Sequence, residues 1–459
     1  MVKRTLLTGG TIVGPEGPAP GDLLFEGERI VAVGHVPGEA DAERIDVSGK
    51  IVVPGAVDVH THLDTPFMGT VTSDDHISGS VAALAGGTTT YVDYAFQQPG
   101  QRIGDTLAAW HAKADRRSQA DYSFHLAVTD PYDGLVEDLP GVVRDGAPSI
   151  KVFMAYKGLA MVDDGQLYDI LRACSRMGAT VCVHAENGHV IDALGRALVA
   201  QGQRGPLGHL MSRPPLTEVE AVRRAITIAE MADAPIYFVH LSTKGAVDAV
   251  AEAQEAGRPV SGETCTHYLL LDEALYHEPS FEGAKYVVSP PLRGASDRAA
   301  MWGSLRDGTL GVVSSDHCPF CFSGQKELGR HDFRDIPNGA PGIEHRLILL
   351  YGKGVRAGHI DLRQMVEVAC SGPARAFGLH PRKGVLAKGS DADVVVIDPE
   401  ATTVILAANQ LQQSDYSMFE RWSVPGRIDA VWLRGEQVVK GARLTGSTQL
   451  GRHLPRAAR

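Results

Sequence analysis

The sequence predicts an α/β protein: a closed (β/α)8 barrel of the TIM type, inserted in a small β-sandwich domain built from both chain ends. Three observations carry this expectation. Apolar strand candidates recur at residues 56–60, 89–93, 122–127, 149–154, 180–184, 236–240, 259–263 and 311–315, with helical patterns between most of them. Strands alternating with helices favour parallel pairing, and eight of them favour closure over an open sheet. Both ends of the chain read differently, as short strands punctuated by glycine, and neither end alone offers enough strands for a stable sheet core. Finally, several of the eight strands finish in histidine or aspartate, at the end of a barrel where active sites are built.

Residues 1–53 form the first part of the sandwich. Leu23-Leu24-Phe25-Glu26-Gly27-Glu28-Arg29-Ile30-Val31-Ala32-Val33-Gly34 holds two apolar runs about a Gly-containing turn, a hairpin pattern. Pro54-Gly55 then leads into the barrel, which occupies 54–384. Within it, Leu167 to Arg176 reads as a helix closed by Gly178, Glu218 to Ala232 as a second, and Gly245 to Glu255 as a third that stops at Gly257. Gly86-Gly87-Thr88 is a tight helix-to-strand turn; a strand follows it, so it is not a phosphate loop. Residues 385–445 supply the rest of the sandwich, with strand patterns at Asp393–Asp398 and Ala430–Val439, and 446–459 form a C-terminal tail.

At 459 residues, with 44% apolar and 22% charged residues and 51 glycines, the composition suits a globular enzyme with many loops. A net charge of −11 and no run of Lys or Arg argue against nucleic-acid or membrane-surface binding through a basic patch. Met1-Val2-Lys3-Arg4 has the basic start of a signal peptide, but Gly9-Gly10-Thr11 interrupts the apolar stretch too soon. No segment has the ~18 uninterrupted apolar residues of a spanning helix. Six cysteines scattered over this length do not make a disulfide framework. The expectation is a soluble, reduced, cytoplasmic protein.

The stretch Ala56-Val57-Asp58-Val59-His60-Thr61-His62-Leu63-Asp64 organises the barrel. Side chains alternate along a strand, so His60 and His62 share a face and both can reach one point at the strand's C-terminal end. The fifth strand ends in His184, followed by Ala185-Glu186-Asn187-Gly188; the sixth ends in His240 and the eighth in Asp316. Any one of these could be a satisfied polar cap. Four strands ending so point to a shared metal site. Four histidines and an aspartate exceed the three ligands and open position of a single catalytic zinc, so two metals sharing the set fit better. Two neighbouring cations need an anionic bridge. Lys151 lies in the apolar strand Ser149-Ile150-Lys151-Val152-Phe153-Met154, where an ammonium is costly. Burial can lower its pKa, and a neutral amine can add CO2 to become a carbamate anion. A lysine that snorkels to solvent is the alternative.

These residues bring the chain to a resemblance. It resembles the cyclic amidohydrolases of the amidohydrolase superfamily, in the D-hydantoinase/dihydropyrimidinase branch, from Gly34 through the C-terminal strands. The resemblance rests on Asp58-Val59-His60-Thr61-His62, on Ser149 to Tyr156-Lys157, and on Val183-His184-Ala185-Glu186-Asn187-Gly188. Val288-Ser289-Pro290-Pro291-Leu292 and Ser315-Asp316-His317-Cys318-Pro319-Phe320 complete it. It implies a barrel plus a β-sandwich, and two zinc ions bridged by a carboxylated lysine at Lys151. A homotetramer, often a dimer of dimers, is implied as well. By that resemblance His60 and His62 hold one metal, completed by Asp316, and His184 and His240 hold the other. The reaction implied is hydrolytic opening of the cyclic amide of 5-substituted hydantoins or dihydropyrimidines to N-carbamoyl amino acids. Asp316 would act as base and then acid, Tyr156 would hydrogen-bond the developing oxyanion, and Ser289 and Asn338 would grip the ring amide, largely through backbone groups.

Other readings stay open at this point. Turn chemistry beside Pro and Gly would also account for Ser289 and Asn338. A related ring-opener of the allantoinase or imidase type is one alternative, and a non-catalytic dihydropyrimidinase-like scaffold protein is another, although all six ligand positions are filled. Dihydroorotases place an arginine two residues after the second histidine; this chain has Asp64 there, which disfavours a carboxylate-bearing ring. Enantiomer preference is expected to depend on packing near Thr65, Phe67 and Leu159. Cys318-Pro319-Phe320-Cys321 has redox-motif spacing but no second C-x-x-C, so a functional pair is not expected. Asp93 reads as a strand-end cap and His125 as a core histidine with a partner.

Overall fold

In the computed structural model, which describes residues 2–36, 41–278, 281–446 and 451–458, eight parallel strands follow one another around a barrel in chain order. They are Ala56–Thr61, Thr88–Phe96, Asp121–Ala127, Ser149–Phe153, Thr180–His184, Ile236–Phe238, Val260–Cys265 and Val312–Ser314. The first and last strands meet where His62 N donates to His317 O (2.8 Å) and Ser315 N to Asp58 Oδ1 (3.1 Å), beside a parallel bridge between Thr61 and His317. Every residue of the first four strands is buried. Helices cover such strands from outside while side chains fill the barrel, so both faces are apolar and the strands read as near-continuous apolar runs.

The helix Asp164–Met177 shows how sequence sets the surrounding layer. Asp163 and Gln166 form a reciprocal capping box, and Gly178 ends the helix in the left-handed region at φ 66°. Leu167, Ile170, Leu171 and Cys174, at helical spacing, are its buried stripe. Gly86 and Gly87 do make the helix-to-strand turn, Gly87 at φ +83° with Leu347 and Val395 packed too close for a side chain.

The two ends of the chain build one nine-stranded sheet. Val394–Val404 pairs antiparallel with Ile51–Pro54, which pairs in parallel with Arg4–Gly14. The sheet curls: Phe25 and Trp432, from strands separated by three others, meet edge to face at 6.2 Å. Between them lies a core that includes Leu7, Leu23, Ile30, Val52, Val394 and Val396. A single curled sheet thus encloses the core expected of a sandwich. From it, Pro54 passes directly into the first barrel strand through Gly55, where a Cβ would fall 2.2 Å from Thr89 Oγ1.

Sheet and barrel are joined by buried charge. Lys383, fully enclosed, meets Asp121 at 2.6 Å, Asp393 at 2.7 Å and Asp391 at 3.0 Å. Arg434 also pairs with Asp121, the first residue of the third barrel strand. Residues 451–458 are more than a loose tail. Tyr122 N donates to Arg452 O and Leu454 N to Tyr122 O, at 3.0 and 2.7 Å. Leu454 is buried there, and Arg456 reaches Ser123 Oγ (2.9 Å) and Ser149 Oγ (2.8 Å).

Candidate active site and metal centre

The first barrel strand delivers His60 and, one step beyond its end, His62. His60 Nε2 and His62 Nε2 lie 3.1 and 3.4 Å from Asp316 Oδ1, and the three ligand atoms form a group able to hold a metal ion. Beside it, His184 Nδ1 and His240 Nε2 face one another at 3.0 Å. The rings of His60 and His240 are 5.3 Å apart, so the two groups adjoin. Lys151 stands in the same cavity, as do Tyr156, Ser289 and Asn338. All nine residues singled out in the sequence are therefore brought to one place. Phe67, Phe96 and Phe153 form an aromatic wall to it, and Thr65 lines it too; Leu159 does not.

The backbone at three of these positions departs from the expectation. The sixth and eighth strands stop at Phe238 and Ser314, two residues short of His240 and Asp316. His240, Asp316 and Tyr156 instead take left-handed conformations, at φ 41°, 48° and 63°. For non-glycine residues such a backbone costs on the order of 1–3 kcal/mol and persists only where surroundings fix it. An apolar run does not reveal that turn, so the strands were read two residues too long.

The donor set fits a metal. His60 Nδ1 is engaged by Glu263 Oε1 at 2.5 Å, which leaves Nε2 as the free lone pair toward Asp316. His184 Nε2 is likewise engaged by Glu186 Oε2 at 2.7 Å, which leaves Nδ1 facing His240. Burial pulls all four imidazoles below their ordinary pKa, most strongly His60 and His240. A neutral ring is the form that ligates. Burial works the other way on Asp316, but the adjacent His60 and His62 outweigh it and hold the carboxyl well below the usual range. Burial also brings the Lys151 ammonium down to about 8, opposed chiefly by Asp316.

Tyr156, Ser289 and Asn338 make a polar corner beside the histidines, the Tyr156 ring lying 5.3 Å from that of His184. Asn338 Nδ2 donates to Ser289 Oγ at 2.9 Å and lies 3.5 Å from the Tyr156 hydroxyl. Burial raises the Tyr156 pKa, so the phenol keeps its proton.

Glu263, Glu186 and Arg213 were not singled out as functional in the sequence. Tyr237 OH donates to Glu263 Oε2 (3.0 Å) and Arg213 Nη1 to Glu186 Oε2 (2.6 Å), so each carboxylate behind a histidine is itself held. Burial opposes the charge on Glu186, but Arg213 brings its pKa down to about 2. The available signal was an acidic residue inside a strand pattern, Gly262-Glu263-Thr264. Asp93 does not cap its strand: it lies inside Thr88–Phe96, where it accepts from Thr61 Oγ1, Leu63 N and Trp110 Nε1 and so ties the first strand to the second. His125 bonds Ser149 Oγ and Val59 O in the core. Asp64 is not among the lining residues, and Lys113 Nζ donates to its carbonyl at 2.6 Å. Cys318 lines the cavity, with burial pushing its thiol well above the usual range; Cys321 lies outside it, and both are free thiols.

Comparison with known proteins agrees with this geometry. Residues 51–438 match the model of the Amidohydrolase family. The chain is 46% identical over 462 residues to the D-hydantoinase of Streptomyces coelicolor, covering 100% of this chain and 99% of the relative. It is 37% identical to the dihydropyrimidinase of Arabidopsis thaliana, covering 98% and 85%. The crystal structure of dihydropyrimidinase from Brevibacillus agri NCHU1002 superposes with a TM-score of 0.97 at 45% identity, covering 99% of each chain. Among the described residues no helix is long and apolar enough to cross a membrane. With a His-His-Asp metal group at the mouth of an eight-stranded barrel, the chain belongs to the amidohydrolase family, in its D-hydantoinase/dihydropyrimidinase branch of ring-opening cyclic-amide hydrolases.

Proposed function

We propose that this chain opens 5-substituted hydantoins and dihydropyrimidines to N-carbamoyl amino acids, using two zinc ions held by His60, His62, Lys151, His184, His240 and Asp316. Carboxylated by CO2, Lys151 would supply an anionic ligand to the pair. The observation that carries the reading is the convergence of four buried imidazoles and one carboxylate on a cavity that also contains an enclosed lysine. When bound, the metal pair lowers the pKa of water and polarises the scissile carbonyl.

The residues of the chain do the rest. Asp316, whose carboxyl is held well below the usual range, accepts the proton of the attacking water and passes it to the ring nitrogen as the C–N bond breaks. Water thus adds OH to the carbonyl carbon and H to the leaving nitrogen, and the ring opens with atoms balanced. Tyr156 donates its retained proton in a hydrogen bond to the oxyanion that develops on the carbonyl oxygen. Ser289 and Asn338 hold the ring amide, and the aromatic wall of Phe67, Phe96 and Phe153 takes the 5-substituent, with Thr65 and Phe67 bearing on enantiomer preference. Lys151 is the only Lys or Arg among the lining residues, so the cavity has no cation left for a carboxylate-bearing ring. The same reading carries a cytoplasmic homotetramer, a dimer of dimers, which light scattering on the eluting protein checks.

The test is a ring panel with metal-loaded protein: dihydrouracil, 5-phenylhydantoin, allantoin and dihydroorotate. Opening of the first two with little turnover of dihydroorotate is expected; the reverse pattern overturns the substrate class. Elemental analysis should find close to two zinc-like ions per chain. Active protein with no bound transition metal overturns the ligand roles, and inert protein that also binds none returns the scaffold reading.

A further inference from the structure

A buried lysine outside the proposed ligand set joins the two loops that carry Ser289 and Asn338. Lys326 opens a short helical turn, Lys326–Gly329, and is fully enclosed. Its Nζ donates to three main-chain carbonyls: Val287 at 2.9 Å, Pro337 at 2.6 Å and Gly339 at 2.6 Å. An ammonium has three N–H donors, and here each has one acceptor. Pro337 and Gly339 flank Asn338 on both sides, and Val287 precedes Ser289 by two residues. The loops also touch directly, since Gly339 N donates to Val287 O at 3.0 Å. Lys326 therefore spans the seam between them.

The neighbouring carbonyls are fixed in the same way. His209 Nε2 bonds Val288 O at 2.7 Å, and the Tyr268 hydroxyl donates to Pro290 O at 2.5 Å. At Gly339, φ is +144° and a Cβ would fall 2.4 Å from Cys318 O, so the loop is pressed against the cavity wall. A buried ammonium is costly unless its donors are satisfied. Here that charge is spent on loop carbonyls, outside the proposed ligand set. The residues so flanked, Ser289 and Asn338, are the ones that line the cavity.

We propose that Lys326 is a positioning residue for ring binding: through three carbonyls it sets the separation of the Ser289 and Asn338 loops, and so their grip on the ring amide, without touching substrate. This rests on Ser289 and Asn338 being the ring-binding pair. The test is a cycle of Lys326→Met, Asn338→Ala and the double variant, all zinc-loaded and assayed on dihydrouracil. Lys326→Met keeps an unbranched side chain of similar length and loses the donors. It is expected to raise KM about tenfold with kcat changed less than about threefold, the mark of lost substrate binding. Zinc content should stay at the wild-type value. Asn338→Ala should raise KM on its own but add little in the Lys326→Met background, because both act on one grip. Should Lys326→Met not fold, Lys326→Gln carries the test under the same criterion. Wild-type KM in Asn338→Ala overturns the ring-binding pair itself. Raised KM in Asn338→Ala beside wild-type KM in the Lys326 variant, or full additivity in the double variant, overturns the positioning role alone.

Discussion

Two fully enclosed lysines stand toward opposite ends of the same barrel. Lys383, where the strands begin, sits among Asp121, Asp391 and Asp393, each within 3.0 Å. Lys151, on the side of the cavity where the strands finish, has the ring faces of Tyr94 and Phe153 at 4.8 and 5.2 Å and histidines beyond. Among the described residues its Nζ forms no hydrogen bond or ion pair, and Asp316 and Glu263 act on it only from beyond ion-pair distance. A buried ammonium is tolerable in the first setting, because carboxylates offset its desolvation, and poorly tolerated in the second. Burial depth alone therefore does not tell a structural lysine from a reactive one. The partners differ: three carboxylates at ion-pair distance make Lys383 a clamp between sheet and barrel, whereas Lys151 has no carboxylate that close, the setting in which the proposed carbamate would form.

The strongest way to break this comparison is Lys151→Ala. On the proposed carbamate, it removes an anion from between two metals, and kcat/KM should fall by about four orders of magnitude or more, ~5 kcal/mol of transition-state stabilisation. Bound zinc should fall with it, while the far-ultraviolet circular dichroism stays unchanged. Acetate or propionate, but not chloride at equal ionic strength, should restore part of the activity. Lys151→Arg should do no better than alanine, since a guanidinium stays cationic; wild-type activity and metal content there would reduce Lys151 to an ordinary strand lysine. The reciprocal change, Lys383→Ala, should act on the fold. Leaving three carboxylates uncompensated is expected to cost about 3–5 kcal/mol in urea unfolding, with zinc per folded chain unaltered. Equal stability to wild type would show that the clamp carries nothing.

Smaller effects sharpen the division. Tyr156→Phe keeps the ring and loses the donor, so kcat should drop by about 10²–10³ with metal content unchanged. Steady-state rates alongside elemental analysis separate it from the ligand variants. Glu263→Gln weakens the hold on His60 Nδ1 and should reduce zinc affinity by about 10–100-fold, read by competition with a chelator. Retained affinity would show that Glu263 does not orient the ligand.

Much of the catalytic end was legible in the sequence. Barrel strands are apolar on both faces, so a His or Asp at their ends stands out, and the spacing of His60 and His62 follows from the period of a strand. What was not legible depends on pairings between distant segments. Glu263 lies on the seventh strand and His60 on the first; Lys383 meets Asp121 from the far side of the barrel sequence. The turns at His240 and Asp316 were hidden for another reason: left-handed backbone at a non-glycine residue is imposed by its surroundings, not by its own side chain. The docking of Leu454 and Arg456 was equally invisible, because eight residues without periodicity show no partner until the third strand presents one.

The curled sheet has a consequence for how the protein is made. Val53 finds its partner Val395 only after the whole barrel sequence has been synthesised. At ribosomal speeds of about 5–20 residues per second, the outer edge of Ile51–Pro54 stays open for about 20–70 s before Val394–Val404 can cover it. During that time its main-chain donors and acceptors are available to any other extended segment, including one from a neighbouring nascent chain. The yield of folded enzyme should therefore be governed by how crowded and how fast synthesis is, well before the stability of the finished barrel comes into play.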